Sequence, residues 1–474
     1  MGSYTGVYGL GVMGQSLALN IANHGYSVSV YNRHADVTRE FMARRVEGQG
    51  KPVVGFDDLK DFVESLDRPR KVILMVKAGK VVDMVSEEIM PYLQPGDILV
   101  DAGNSYYKDT ERRIKHYSEK GISFFGIGVS GGEKGALLGP SIMPSGDKDV
   151  YDKYLGKLLT DISAHTEDGS ACCEYIGPGG SGQYVKMVHN GIEYGDIQII
   201  DEAYFMMKRL LHMSNAEMAD VFSSWNEGRL SSFLIEITAN ILREKDPDTS
   251  DDLIDHILDE AAQKGTGMWT AIEGLEMHMP IPTMAEAVFA RNLSSIKAER
   301  VAASKVFNEV PSVAVDKQRL VADLEQAVYA SKIISYAQGF ALLTAASEQH
   351  GWNLDLGDIA LLWREGCIIR ARFLDRIKQA YEENSDVVNL ILTDEFKDEI
   401  RVALPGWRRV VVKGIEAGLY IPTLANSLMY FDGYTTEKLP ANMCQAQRDW
   451  FGAHTFHRDD QPYVNSFHHQ WEEF

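Results

Sequence analysis

A mostly parallel, doubly wound α/β domain, a large all-helical domain and a short C-terminal tail make up the fold the sequence predicts. Three observations carry it. Short apolar runs alternate with amphipathic stretches through residue 178. From Gln183 to about Gly433 apolar residues recur at spacings of three and four, with no convincing strand. From Thr435 the chain becomes irregular and aromatic (Trp450, Phe451, Tyr463, Phe467, Trp471, Phe474). The expected domains are therefore 1–178, 179–434 and 435–474.

Composition narrows the function classes. The chain has 474 residues, 45% hydrophobic and 24% charged, an ordinary globular balance with room for two to three domains. Lys and Arg number 47 against 68 Asp and Glu, a formal net charge of −21. That field repels polyphosphate, so no nucleic acid or anionic membrane partner is expected. An anionic small substrate must then be gripped by a local basic cluster. No run approaches the roughly 20 apolar residues of a membrane helix. Strand-like sequence begins within a few residues of the N-terminus, leaving no room for a signal peptide. Cys172, Cys173, Cys367 and Cys444 are too few for a disulfide framework and fit a reducing, cytoplasmic setting. No metal-ligand motif stands out, and His468-His469 reads as tail packing.

Tyr4–Tyr8, Ser27–Tyr31, Lys71–Val76, Asp97–Asp101 and Ser123–Ile127 read as buried strands, each bounded by Gly, Pro or charge. The amphipathic Val12–His24 reads as a helix closed by Gly25. Gly9-Leu10-Gly11-Val12-Met13-Gly14 sits between this first strand and this helix. In that context the glycines make a Rossmann-like dinucleotide loop. Gly9 serves the tight turn, Gly11 the approach of backbone to pyrophosphate, and Gly14 close helix–strand packing. After the second strand, Asn32-Arg33-His34 stands where an NAD enzyme carries Asp or Glu. Arg33 is suited to pair with a 2′-phosphate, so NADP is the expected cofactor. Val76-Lys77-Ala78 and Gly103-Asn104-Ser105 follow further strands, at the edge where such sheets bind ligands; Asn104 can orient a nicotinamide amide or a substrate hydroxyl.

The glycine-rich stretch Gly177–Gly182 marks the domain boundary. Beyond it, Lys186, His189, Asn190 and Glu193 fall at i, i+3, i+4 and i+7, on one stripe of an otherwise apolar helix. Two readings fit: a catalytic stripe facing a cavity, or a Lys–Glu ion pair bridging to other helices. Ser130-Gly131-Gly132 has the makings of a carboxylate nest. Lys264, Thr266, Arg291 and Arg448 form a phosphate site only if the fold gathers them. A faint echo links Trp225–Gly228 before Phe233 with Trp363–Gly366 before Phe373, each after a long helix carrying Tyr194 or Tyr336. Duplication and chance likeness both account for it.

These residues resemble the decarboxylating 6-phosphogluconate dehydrogenases over almost the whole chain. The resemblance is carried by Gly9–Gly14, Val76–Gly79, Gly103–Ser105, Gly128–Gly132, Lys186–Asp196, Gln263–Gly267, Tyr329–Gly339 and Gln445–Thr455. It implies oxidative decarboxylation of 6-phosphogluconate with NADP, Lys186 as general base and Glu193 as general acid. Gly9, Leu10, Gly11, Val12, Met13, Gly14, Asn32, Arg33, His34, Val76, Lys77, Ala78 and Asn104 would line the cofactor. Ser130, Gly131 and Gly132 would hold the substrate carboxylate, with Asn104, His189 and Asn190 on its hydroxyls and carboxylate. Tyr194, Lys264, Thr266 and Arg291 would take the phosphate together with Arg448. Arg448 and His454 would reach into a partner's site in a homodimer, and the helical domain would contain a duplicated unit. Three positions depart from the family pattern: Gly11 where Ala is frequent, His34 where Thr is common, and Gln183 where His is expected. Another NADP-dependent β-hydroxyacid dehydrogenase and a catalytically silent NADP-binding protein are the alternatives.

Overall fold

Seven strands form one sheet in the order β3-β2-β1-β4-β5-β6-β7. The structure is a computed structural model that describes residues 2–307, 311–384 and 387–471. Strands β1 (Thr5–Tyr8), β4 (Lys71–Leu74) and β5 (Ile98–Asp101) are buried throughout, as apolar runs covered on both faces must be. β2 (Val28–Tyr31) pairs with β1 in parallel, and β6 (Ser123–Ser130) with β5. β6 runs three residues past the expected Ile127, which makes Ser130 its last residue. Two strands are not assigned by the sequence pattern. β3 (Val53–Phe56) is an edge strand with Gly55 inside it and only Val53 buried. β7 (Ser141–Ser145) pairs antiparallel with β6 and contains Pro144, tolerated because β7 is the opposite edge.

Helix α1 (Val12–Asn23) closes as Gly25 suggests. With Gly25 at φ 83°, its N–H donates to the Ala22 carbonyl at 3.0 Å, and the Tyr26 N–H donates to that of Ile21 at 3.3 Å. α2 (Tyr107–Ser118) follows β5, and the short α3 (Gly132–Leu138) follows β6.

The helical region is organised by α4 (Ser181–Arg209), 29 residues and about 44 Å long. It can pass through the interior because glycines admit neighbours closely. A Cβ on Gly182 would lie 2.2 Å from the Met143 carbonyl of β7, and one on Gly191 2.5 Å from Thr270. This packing against the sheet makes residues up to Ser427 one compact unit and those from Leu428 a second.

After α4 come α5 (Asn215–Glu227), α6 (Phe233–Ile241), α7 (Thr266–Glu276) and α8 (Pro282–Ser295). The same sequence of elements then repeats as α9 (Lys317–His350), α10 (Leu356–Leu362), α11 (Leu374–Glu383), α12 (Asp394–Glu416) and α13 (Pro422–Tyr434). Ile281-Pro282-Thr283 opens α8 and Ile421-Pro422-Thr423 opens α13. Each isoleucine fills the space a side chain would need at a preceding glycine, Gly274 or Gly414. Equivalent segments of the two halves pair reciprocally: Phe233 N–H donates to the Arg370 carbonyl at 3.1 Å, and Arg372 N–H to that of Ser231 at 3.0 Å. The tryptophans of the echo, Trp225 and Trp363, are both buried. The sequence echo is a duplicated helical unit.

The second unit is more ordered than the expected irregular tail. Its α14 (Ala441–Gly452) carries a fully buried Asp449. That carboxylate accepts from the Thr455 and His469 backbone N–H groups and from Trp471 Nε1, and contacts His468 Nδ1 at 2.9 Å. Of the tail aromatics Trp471 is tied to this acceptor, while Trp450, Phe451 and Tyr463 stay exposed; Phe474 lies outside the described residues.

Candidate active site

The strand order reverses between β1 and β4, so the crevice for a ligand opens at the C-terminal ends of these strands. The glycine loop lies there. Gly9 takes φ 102°, and a Cβ on it would sit 2.5 Å from the Met75 carbonyl. A Cβ on Gly14 would sit 1.9 Å from the Gly9 carbonyl, so α1 packs on the loop only because that side chain is absent. At Gly11 a Cβ would meet no heavy atom of the described residues within 4 Å. That open space lies at the N-cap of α1, where no side chain caps the helix and N–H groups remain for an anion. Asn32 Oδ1 accepts from the Leu10 N–H at 3.0 Å, tying the end of β2 to the loop. Arg33 and His34 are exposed at that end. Val76 and Ala78 are half-buried and Lys77 exposed beyond β4. The arrangement fits a dinucleotide: glycines make the cradle, and the Arg33 guanidinium stands exposed at the end of β2.

Asp101 at the end of β5 organises the next loop. Its carboxylate accepts from Gly103 N–H at 3.0 Å and from Ser105 Oγ at 2.6 Å, which leaves Asn104 exposed between them. Behind it, the buried Arg113 reaches Asp101 at 3.4 Å and Asp83 at 2.8 Å. The hydroxyls of Tyr106 and Tyr107 both donate to Glu273, at 2.6 and 3.1 Å, so α2 and α7 share one buried carboxylate.

The stripe of α4 faces this edge. Lys186 is 5% exposed; its Nζ donates to Asn190 Oδ1 and lies 3.3 Å from His189 Nδ1. Burial lowers the Lys186 pKa, against the opposing pull of Glu193 and Cys367. Burial, with Lys186 adding to it, also holds His189 neutral. His189 Nε2 lies 3.2 Å from Ser130 Oγ, which connects the stripe to β6. There Gly131 and Gly132 take φ 116° and 63° at the start of α3, whose N-cap Gly131 carries no capping side chain. Asn190 Nδ2 donates to Thr266 Oγ1 at 2.9 Å. Glu193 lies 3.8 Å from His189. Desolvation raises its pKa, and Lys186 and Arg291 oppose that rise.

The structure therefore brings Ser130, Lys186, His189, Asn190, Glu193 and Thr266 together. Tyr194 is buried with the Arg291 guanidinium stacked over its ring at 3.5 Å. Lys264 is exposed just before α7. Arg448 and His454 belong to the second unit; both are exposed, and Arg448 donates to Gln445 at 3.0 Å. Among the described residues no group of three or more His, Cys, Asp or Glu is placed to hold a metal ion, and no helix is long and apolar enough to cross a membrane.

Two residues gain a place that the sequence alone does not assign. Cys367 lies 2.7 Å from His189 Nε2 and 3.5 Å from Ser130 Oγ, its thiol pushed up to about 11 by burial. Gln183 donates from Nε2 to the carbonyls of Asp101 and Gly103 at 3.1 Å and of Ile127 at 3.3 Å, pinning α4 to the end of β5 and the middle of β6. The Trp363–Gly366 echo beside Cys367 was the available signal for the first, and the spacing of three between Gln183 and Lys186 for the second.

Residues 4–177 match the family model described as the NAD binding domain of 6-phosphogluconate dehydrogenase, and 182–471 match its C-terminal domain. The chain belongs to the 6-phosphogluconate dehydrogenase family. The NADP(+)-dependent, decarboxylating enzyme of Bacillus subtilis is 50% identical over 98% of each chain. A decarboxylating relative from Saccharomyces cerevisiae is 49% identical over 98% of this chain and 96% of its own. Among solved structures, Plasmodium falciparum 6-phosphogluconate dehydrogenase, described in apo form and with NADP+ and 6-phosphogluconate, superposes with a TM-score of 0.93 at 46% identity. It covers 98% of this chain and 100% of its own. The resemblance read from the motifs is thus one of family, over sheet and helices alike.

Proposed function

We propose that the chain converts 6-phosphogluconate and NADP to ribulose 5-phosphate, carbon dioxide and NADPH. One observation carries the reading: a desolvated lysine, a neutral imidazole, an amide and a carboxyl on one stripe of α4, beside the glycine turn after β6. Gly9 to Gly14 would cradle the dinucleotide, with Asn32, Arg33 and His34 at the 2′-phosphate and Val76, Lys77, Ala78 and Asn104 along the nicotinamide side. When bound, NADP supplies the hydride acceptor.

Lys186, whose ammonium burial disfavours, takes in its neutral form the proton of the substrate's secondary alcohol as that carbon is oxidised. The product is a keto acid whose carbonyl is β to the carboxylate. Lys186, now an ammonium, donates to that carbonyl oxygen and stabilises the enolate as carbon dioxide leaves. Glu193 then delivers a proton to the carbon that bore the carboxylate. Ser130, Gly131 and Gly132 hold the carboxylate; Asn104, His189 and Asn190 orient the hydroxyls; Tyr194, Lys264, Thr266 and Arg291 take the phosphate.

The division at 178/179 and at 434/435, a cytoplasmic homodimer, and Arg448 and His454 reaching a partner's phosphate site belong to the same reading. Exposed apolar side chains such as Leu275, Phe289, Phe307 and Phe451 support an assembled state. The test is NADPH formation with 6-phosphogluconate, run beside NAD and in a chelator, with carbon dioxide measured. Turnover with NADP and release of carbon dioxide are expected. A folded protein that binds NADP but leaves 6-phosphogluconate unchanged would overturn the reading.

A further inference from the structure

His189 is fully buried, and both of its ring nitrogens face polar partners. Nδ1 lies 3.3 Å from Lys186 Nζ and 3.1 Å from Asn190 Oδ1, with Glu193 farther off at 3.8 Å. Nε2 lies 2.7 Å from Cys367 Sγ and 3.2 Å from Ser130 Oγ. Trp363 meets the ring edge to face, at 5.5 Å and 81°, which holds its plane. Packing leaves open which nitrogen carries the one proton of the neutral ring, and that is set by what each nitrogen faces.

Cys367 is placed to decide it. Gly366 before it takes φ 60°, and a Cβ there would lie 2.3 Å from the Gly139 carbonyl oxygen. The Gly366 carbonyl accepts from the Ser141 N–H at 2.9 Å. The second helical half is thus wedged against the segment between β6 and β7, with the Cys367 sulfur held on His189. That sulfur stands as an acceptor: Ser130 Oγ donates to it at 3.5 Å, and the Ile369 N–H is a further donor.

On the Nδ1 side, Lys186 needs acceptors. A neutral amine has two protons and one lone pair. One proton goes to Asn190 Oδ1, the oxygen of an amide whose Nδ2 is committed to Thr266 Oγ1 at 2.9 Å. If Nδ1 takes the other, the lone pair is left for the proton of the substrate's alcohol. A proton on Nδ1 would instead occupy that lone pair or compete for Asn190 Oδ1.

We propose that Cys367 is a positioning residue for Lys186, acting through His189: its sulfur accepts from Nε2–H, so Nδ1 stays bare and holds the Lys186 amine with its lone pair toward the substrate. The inference rests on the reading of Lys186 as the base and adds what orients it. Once the alcohol proton has moved to Nζ, the same two acceptors hold two protons of the ammonium. The third is left for the carbonyl oxygen.

The test is nitrogen-15 magnetic resonance of the full-length protein labelled at the histidine ring nitrogens, with the His189 signals assigned by their loss in His189→Asn. The parent should carry its proton on Nε2. Cys367→Ala should shift the population toward Nδ1–H and lower kcat by about tenfold, with the NADP dissociation constant and KM for 6-phosphogluconate within about twofold. Cys367→Ser, which keeps an acceptor, should restore the Nε2–H form and most of the rate. A parent ring protonated at Nδ1 overturns the proposal without recourse to any variant of Cys367, and so does an unchanged tautomer in folded Cys367→Ala. Normal turnover in Lys186→Met overturns the base reading instead, whichever tautomer the parent carries.

Discussion

The glycine loop after β1 and the polar stripe of α4 both offer polar groups to a ligand, yet they are built in opposite ways. The loop works through what is missing: backbone N–H groups at the start of α1, exposed, in space that side chains at Gly9 and Gly14 would close. The stripe works through what is added, with Lys186, His189 and Asn190 each less than a tenth exposed and each satisfied by another member or by a distant element. Backbone geometry is set locally and tolerates water. The state of a buried lysine depends on every neighbour that excludes water from it.

The largest effect expected is at the stripe. Lys186→Met should lower kcat by at least about a thousandfold, with the dissociation constant for NADP within about twofold of the parent, measured by fluorescence titration. Loss of NADP binding in the same variant would show that the two regions are not separable. Glu193→Gln should lower kcat by about a hundredfold with little change in KM for 6-phosphogluconate. The pH profile should be a bell. Lys186 must be neutral, so activity falls as pH drops through a pKa that burial sets below 10.5. Glu193 must be protonated, so activity falls as pH rises through one that burial sets above 4.5.

At the loop the effects are smaller and steric. Gly14→Ala forces a methyl to 1.9 Å from the Gly9 carbonyl and should raise the NADP dissociation constant by about a hundredfold while 6-phosphogluconate binding survives. Arg33→Ser should raise KM for NADP by about tenfold and leave the NAD reaction unchanged; equal effects on both cofactors would remove Arg33 from the 2′-phosphate. Gly11→Ala, meeting nothing of the described residues within 4 Å, should leave the melting temperature within about a degree.

The loop and the strands around it were legible because their signals are local. A buried strand is a short apolar run, and a glycine between strand and helix has a conformational reason that needs no partner. Even here β3 and β7 escaped, since Gly55 breaks one short run and Pro144 sits in the other, features only their edge positions excuse. On α4, spacing was enough to put four polar residues on one stripe, but an ion pair bridging helices fitted the same spacing. What separates the readings is burial and partners contributed by β6, α7 and the Cys367 segment, up to 178 residues away in the chain.

The sequence by itself determined the alternation of strand and helix before residue 178, the dinucleotide loop and the stripe, because periodicity and glycine placement act within a few residues. Only the tertiary structure decided that Lys186 is dry, that His189 is neutral beside Cys367, that Gln183 pins α4 to two strands, and that the chain's two helical halves cap one another. There Gln338 accepts from Thr283 N–H at 3.1 Å, and Glu202 accepts from Thr423 and Leu424 N–H at 2.8 Å. Desolvation and capping across the core belong to no single residue, so they exist only once distant segments have excluded water together.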